Sequence, residues 1–453
     1  MRVPGGAGGD DDVVQIKEAS KSGEPFVITV NCPDKTGLAC DVFRIILDFG
    51  LSIAKGDIST DGIWCYIVLW VIPHSTLLAT SCSFLKDRLQ SVCPPCSASF
   101  YLVQQPPRSS PEYLLKFCCL DRKGLLHGSR NSLFELIFHV VCVSCNCVAY
   151  AIVDTFLDVT KVLSELELSI QKVKVTTTPD GRVLDLFFIT DNMELLHTRK
   201  RQDETCGRLN NVLQDSCVSC ELQLAGPEYE CNQGITSLSP VLAEELFQCE
   251  LSDNERRSQA LSPDMTKLKR TNVIIDNSLS PAHTLIQIHC ADHKGLLYDI
   301  MRTLKDMNIK ISYGRFSPNT KGYRDLDIFI QQKDGKKILD SGKQSALCSR
   351  LKQEMLHPLR VMIANRGPDT ELLVANPVEL SGKGRPRVFY DVTYALKTLG
   401  ICVFSAEVGR YSASAREWEV YRFLLDENCE FHLTSVAARN QIVDRVRRTL
   451  MGW

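Results

Sequence analysis

One short phrase is written three times in this chain, and nothing else constrains its fold so strongly. Asp34-Lys35-Thr36-Gly37-Leu38 follows an apolar run over 26–30, and Asp121-Arg122-Lys123-Gly124-Leu125 follows another over 113–117. Asp292-His293-Lys294-Gly295-Leu296 follows an alternating run over 283–289. Each phrase is tied to apolar residues at helical spacing, most clearly Leu296, Leu297, Ile300, Met301, Leu304 and Met307 after the third. A strand therefore runs into a tight turn, and a helix follows. Glycine suits such a turn because it takes positive φ cheaply and lets other groups approach the backbone. Unpaired N–H groups at the start of the helix offer a place for a small anion such as a carboxylate.

The elements around the phrases repeat as well. After the first come a helix over 38–49, strands over 52–60 and 64–72 joined at Asp61-Gly62, a helix over 76–92 and a strand over 97–103. That order, βαββαβ, is the ferredoxin-like unit, with two helices on one face of an antiparallel sheet. The second copy places hairpin strands over 169–177 and 183–190 around Pro179-Asp180-Gly181, then a helix over 204–214 and a strand over 220–224. The third has hairpin strands over 310–316 and 323–331. The fourth begins at Glu371, with a helix over 388–399, strands over 401–409 and 417–425, and a closing helix over 435–450. The fold class is α+β, a tandem of ferredoxin-like units.

The 453 residues divide accordingly. A glycine-rich, acidic start over 1–24 is expected to be unstructured, and units follow over 25–105, 111–225, 282–366 and 370–453. The polar stretch 226–281 reads as a linker with one short helix started by Ser239-Pro240 and an extra strand over 272–275 before Asp276-Asn277-Ser278.

With three Asp-x-x-Gly-Leu turns in register, the chain resembles the plant ACT-domain-repeat (ACR-type) proteins. Asp276-Asn277-Ser278 leading into the third unit is similar to the last ACT pair of bacterial uridylyltransferase glutamine sensors. The resemblance covers nearly everything beyond Pro25 except the linker. It implies four ACT modules that pair side by side and bind a free amino acid between them, near the strand-to-helix turns. The residues it nominates are Asp34, Gly37 and Leu38; Asp121, Gly124 and Leu125; and Asp292, Gly295 and Leu296. The amides beside each glycine would hold the ligand's carboxylate, and a nearby acid its ammonium. The competing reading is that each aspartate caps its helix and each glycine only turns the chain. Gly295→Val is then expected to abolish binding at the third unit and leave the protein folded.

Two departures stand out. Aligning Asp391-Val392 with Asp41-Val42 puts Gly384 at the aspartate position of the fourth unit and Arg387 at the glycine position, so this unit keeps the fold and loses the standard turn. In the second unit, Gly124-Leu125-Leu126-His127 should continue directly into Asp158-Val159, but residues 128–157 intervene. That apolar, cysteine-rich stretch is barely long enough for a membrane span, and Cys142, Cys145 and Cys147 have no complementary ligand pair for a metal. Its best reading is translated intron sequence. Deleting it is expected to raise the melting temperature, because without it Leu126, Val159, Val162, Leu163 and Leu166 fall on one helix face.

Composition excludes more than it selects. A net charge of −2 gives no electrostatic reason to expect nucleic acid or an acidic membrane. The start lacks a secretory pattern, so the twenty cysteines read as mostly reduced and buried, and the compartment as cytoplasmic or nuclear. Cys93-x-x-Cys96 and Cys217-x-x-Cys220 occupy equivalent places in two repeats, so common ancestry explains them without zinc. There is no P-loop, Gly-x-Ser-x-Gly or His-Glu-x-x-His, and thus no catalytic, metal or cofactor assignment. The expected function is a non-enzymatic, amino-acid-binding regulatory protein. Its partners would be a regulated enzyme or other protein, with homo-oligomers through ACT pairing as a further expectation. A scaffold with vestigial pockets is the alternative.

Overall fold

The computed structural model describes residues 13–17, 24–73, 82–95, 111–120, 158–177, 182–191, 195–213, 217–226, 238–247, 271–319, 322–356, 358–413, 416–426, 433 and 435–453. The second turn, with Asp121, Gly124 and Leu125, lies outside the described residues, as does 128–157.

Two eight-stranded antiparallel sheets organise the described residues. The first contains β1 (Val14–Lys17), β2 (Phe26–Pro33), β3 (Leu51–Thr60), β4 (Trp64–Pro73), β9 (Asn272–Asp276), β10 (Thr284–Ala291), β11 (Ile309–Pro318) and β12 (Tyr323–Gln332), in the order β1-β2-β4-β3-β11-β12-β10-β9. The second contains β5 (Tyr113–Leu120), β6 (Leu168–Thr177), β7 (Arg182–Asp191), β8 (Cys217–Leu224), β13 (Arg360–Arg366), β14 (Asp369–Pro377), β15 (Cys402–Ala413) and β16 (Arg416–Asp426), in the order β13-β14-β16-β15-β6-β7-β5-β8. The first unit thus pairs with the third and the second with the fourth. The joins are β3 to β11, through four residue pairs from Ser59↔Tyr313 to Gly56↔Phe316, and β15 to β6, through three. The side-by-side pairing expected of ACT modules is made within the chain.

The helices are α1 (Leu38–Asp48), α2 (Cys82–Val92), α3 (158–165), α4 (Arg199–Leu213), α5 (Pro240–Phe247), α6 (Leu296–Asp306), α7 (Ser341–Leu356), α8 (Val388–Thr398) and α9 (Val436–Met451). One core joins the apolar faces of α1, α2, α6 and α7 to the first sheet, and a second does the same for α3, α4, α8 and α9. The residues picked out by period in the third unit are buried: Ile286, Ile288, Leu296, Ile300, Met301 and Leu304. Val159, Val162, Leu163 and Leu166 share the second core, as the repeat requires of the helix after the second turn.

Several boundaries differ from the sequence expectation, for one physical reason. In a ferredoxin-like sheet the edge place beside the first strand can be filled antiparallel from either end of the chain. In the second unit β8 fills it from behind, giving βαββαβ. In the first unit β1 pairs with β2, so the start is not wholly unstructured, and β2 lies between β1 and β4, while the strand expected over 97–103 lies outside the described residues. In the third unit β9 pairs with β10, drawing the unit's start back to Asn272. The last residues of the range expected for the third unit form β13, which pairs with β14 and opens the fourth. The stretch 226–281 is also more than a linker. Ser239 accepts a hydrogen bond at its hydroxyl from the Leu242 amide at the start of α5, and Leu246 and Phe247 pack on Ala364, Leu373 and Trp418 of the second sheet's other face.

Candidate functional site

The antiparallel joins decide where the glycine turns lie. Because β3 runs beside β11, the turn of one unit faces the first residues of the partner's central strand. Among the described residues, three cavities occupy this position. The first, about 150 Å³, lies between Asp34–Gly37–Leu38 and Ile309–Ile311. The second, about 340 Å³, lies between Asp292–Gly295–Leu296 and Leu51–Ile53. The third, about 110 Å³, lies between Gly384–Arg387 and Leu168–Ile170. The structure therefore brings the nominated residues of the first and third units together, each set lining one cavity.

Both glycines are left-handed N-caps, Gly37 at φ 83° and Gly295 at φ 80°, and neither helix has a side-chain cap. Asp34 and Asp292 therefore do not cap their helices, and Asp121 lies outside the described residues. Asp34 accepts from the Thr60 hydroxyl at 2.8 Å. Asp292 accepts from Arg324 through both carboxylate oxygens, at 2.9 and 2.7 Å. Arg387 of the fourth unit takes φ 63° at the place the alignment gave it, so the left-handed step survives without glycine. No aspartate fits at Gly384, where an added Cβ would lie 2.5 Å from Glu419 Oε2 and 2.6 Å from Asn376 Nδ2.

Each turn is crossed by a cation that sequence reasoning missed. A Cβ on Gly37 would lie 2.6 Å from Lys305 Cδ, and one on Gly295 2.6 Å from Arg385 Cζ. The Lys305 ammonium reaches Asp41 and Glu379, both at 3.0 Å, while Lys35 meets Asp41 at 2.7 Å. Burial pushes the Asp41 carboxyl up, but Lys35 and Lys305 outweigh it and hold it below the usual range. Arg385 donates to the carbonyls of Lys294 and Leu450, and its guanidinium stands 3.6 Å from Asp299. A side chain at Gly295 would crowd this guanidinium as well as strain a positive φ, so Gly295→Val is expected to cost stability in addition to any ligand. His293, buried against the same guanidinium, is pushed down to about 4, by burial first and then by Arg385.

A polar layer behind the turns ties the two sheets together. Tyr298 donates to Glu379 at 2.7 Å, Lys294 to Asp391 at 2.6 Å, and Arg302 to both Glu354 at 2.6 Å and the Pro377 carbonyl at 3.0 Å. Among the described residues, no group of three or more His, Cys, Asp and Glu could hold a metal ion, and no helix is long and apolar enough to cross a membrane. Cys32, Cys40, Cys65 and Cys290 are buried free thiols.

Family models described as "ACT domain-containing protein ACR10, N-terminal", "ACR9-like, ACT-like domain" and "ACT domain-containing protein ACR9, C-terminal" match residues 16–94, 272–369 and 370–452. ACT domain-containing protein ACR9 of Arabidopsis thaliana is 56% identical over 446 residues, covering 98% of this chain and 99% of that protein. The chain belongs to the ACR family of ACT-domain proteins. Within that family ACR10 of the same plant is 48% identical over 451 residues, covering 98% of each chain. A weaker likeness, 27% over 138 residues, links this ACR-family chain to the bifunctional uridylyltransferase/uridylyl-removing enzyme of Azospirillum brasilense, covering 29% of this chain and 14% of that one.

Proposed function

We propose that this ACR-family protein is a non-enzymatic regulator that binds a free α-amino acid at the Asp34 turn. The observation that carries the reading is the chemistry left open on one cavity. Among the described residues Asp34 has no ion-pair partner, and its carboxylate accepts from the Thr60 hydroxyl. The Thr36 and Gly37 amides have no backbone acceptor among the same residues. A carboxylate and free amides beside a helix start match an ammonium and a carboxylate borne on one carbon. Ile309 and Ile311 of the partner unit form the opposite wall, so a bound ligand would bridge the β3–β11 join. Ligand binding would then change how firmly the two units are held together, a difference that a regulated enzyme or other partner could read.

Calorimetry of the full chain against the twenty amino acids tests this. One amino acid should bind, and Asp34→Asn should weaken it by roughly 10–150-fold, the loss of one charge-assisted hydrogen bond worth about 1.5–3 kcal/mol. Failure of all twenty to bind, or an unchanged affinity in Asp34→Asn, overturns the assignment.

A further inference from the structure

The first and third units are related by a constant offset through their turns and first helices, so their two cavities can be compared group by group. Cys32 pairs with Cys65 across β2 and β4, and the matching Cys290 pairs with Arg324 across β10 and β12. Arg324 thus stands where the first unit has a small buried thiol, and it is itself only 5% exposed. Its guanidinium does two things at once. Toward its own unit it grips the Asp292 carboxylate, Nε to Oδ1 at 2.9 Å and Nη2 to Oδ2 at 2.7 Å. Toward the partner unit it donates to the carbonyls of Ile53 at 2.9 Å and Ala54 at 3.1 Å, at the bulge that opens β3. β11 has the matching bulge at Ile311–Tyr313, on the far wall of the Asp34 cavity.

The turn amide is met in the same way. The Lys294 N–H donates to the carbonyl of Met451 at the end of α9, at 2.9 Å, whereas the equivalent Thr36 N–H has no backbone acceptor among the described residues. Trp453 donates from its indole to the Asp292 carbonyl at 3.2 Å, holding the end of the chain against the turn. Arg324 therefore supplies a cation on the acid, and Met451 an acceptor on the amide. The larger cavity beside Asp292 lies alongside anchor points that are already engaged.

We propose that Arg324 is a built-in substitute for the cationic group of the ligand, so that in the first sheet the Asp292 site is occupied by the chain itself and the Asp34 site alone is open. The inference deepens the function proposed above and rests on it for the identity of the ligand. What it requires of Arg324 can be measured without any amino acid.

The experiment removes the arginine and offers its head group back. Full-length Arg324→Ser leaves a guanidinium-sized gap between Asp292 and the Ile53 and Ala54 carbonyls. The variant should melt several degrees lower than the wild type and bind one equivalent of methylguanidinium at millimolar concentration. At least half of the lost melting temperature should return, and the wild type should show no response. In Arg324→Ser/Asp292→Asn that rescue should disappear. Absence of rescue, an equal response in the wild type, or rescue that survives Asp292→Asn overturns the inference. So does a wild-type amino-acid site that Asp292→Asn abolishes. If no amino acid binds the wild type, the proposed ligand falls, and the methylguanidinium result still decides the role of Arg324.

Discussion

Arg302 lies at the centre of the layer that joins the two sheets, and it is fully buried. Replacing it with methionine keeps most of the unbranched stem and removes the guanidinium. The Pro377 carbonyl then loses its donor at 3.0 Å, Glu354 loses one at 2.6 Å, and Asp299 loses a cation at 3.2 Å. Breaking a buried pair by deleting one partner costs about 3–5 kcal/mol, because the other charge stays behind. Glu354 still has Arg416 and Arg350, and Asp299 still has Arg385 at 3.6 Å, which argues for the lower end, about 3 kcal/mol. At about 2–4 °C per kcal/mol for a folding unit of roughly 200 residues, melting should fall by roughly 6–12 °C.

The cost should also depend on pH. Asp299 is pushed up to about 6, by burial first, with Arg302 the strongest opposing influence. Its folded pKa lies above the unfolded one, so the folded protein holds this proton more tightly. Stability is then lost as pH rises from about 4 through the folded pKa, and the full cost is present above it. Without Arg302 that pKa rises further, so the loss continues to higher pH. The gap between Arg302→Met and wild type should be wider at pH 8 than at pH 5.5, and adding Asp299→Asn should narrow it. Calorimetric melts of the four proteins at both pH values measure this. A gap under about 1 kcal/mol, or one equal at the two pH values, would refute the reasoning, because a charge left buried must titrate.

Two further outcomes follow from buried side chains. Asp185 of β7 lies among core residues, with burial pushing it up to about 7 and Oδ1 lacking a partner among the described residues. Asp185→Asn should stabilise by up to about 4 kcal/mol above pH 7, the benefit shrinking as pH falls toward 4, and equal melting temperatures at pH 8 would exclude it. Phe247 of α5 packs 5.5 Å from the Trp418 ring, so Phe247→Ala should cost about 3 kcal/mol of local stability and speed proteolytic cleavage within 226–281. Cleavage at the wild-type rate would show that α5 is not held by this contact.

The sequence by itself determined what is local. A left-handed step between strand and helix needs glycine or a tolerant substitute, so the turns were legible at Gly37 and Gly295. Register placed Arg387 at the glycine position but suggested that the turn was lost there, whereas Arg387 takes φ 63° and keeps the left-handed step. The apolar faces and the Ser239-Pro240 helix start were legible for the same reason, since period and capping act over a few residues. Tertiary structure decided what depends on distant partners. Pairing of the first unit with the third joins residues more than 250 positions apart, and no local preference separates that pairing from one between neighbouring units. The edge strands β1, β9 and β13 fill a place that either end of a unit could fill, so only the assembled sheet assigns them. The contrast between the two glycine turns is of the same kind. Asp34 and Asp292 sit in matching phrases, yet one faces a cavity with no ion-pair partner among the described residues and the other is held by Arg324, 32 residues away. That difference exists only once β12 lies beside β10 and the bulge of β3 closes over both.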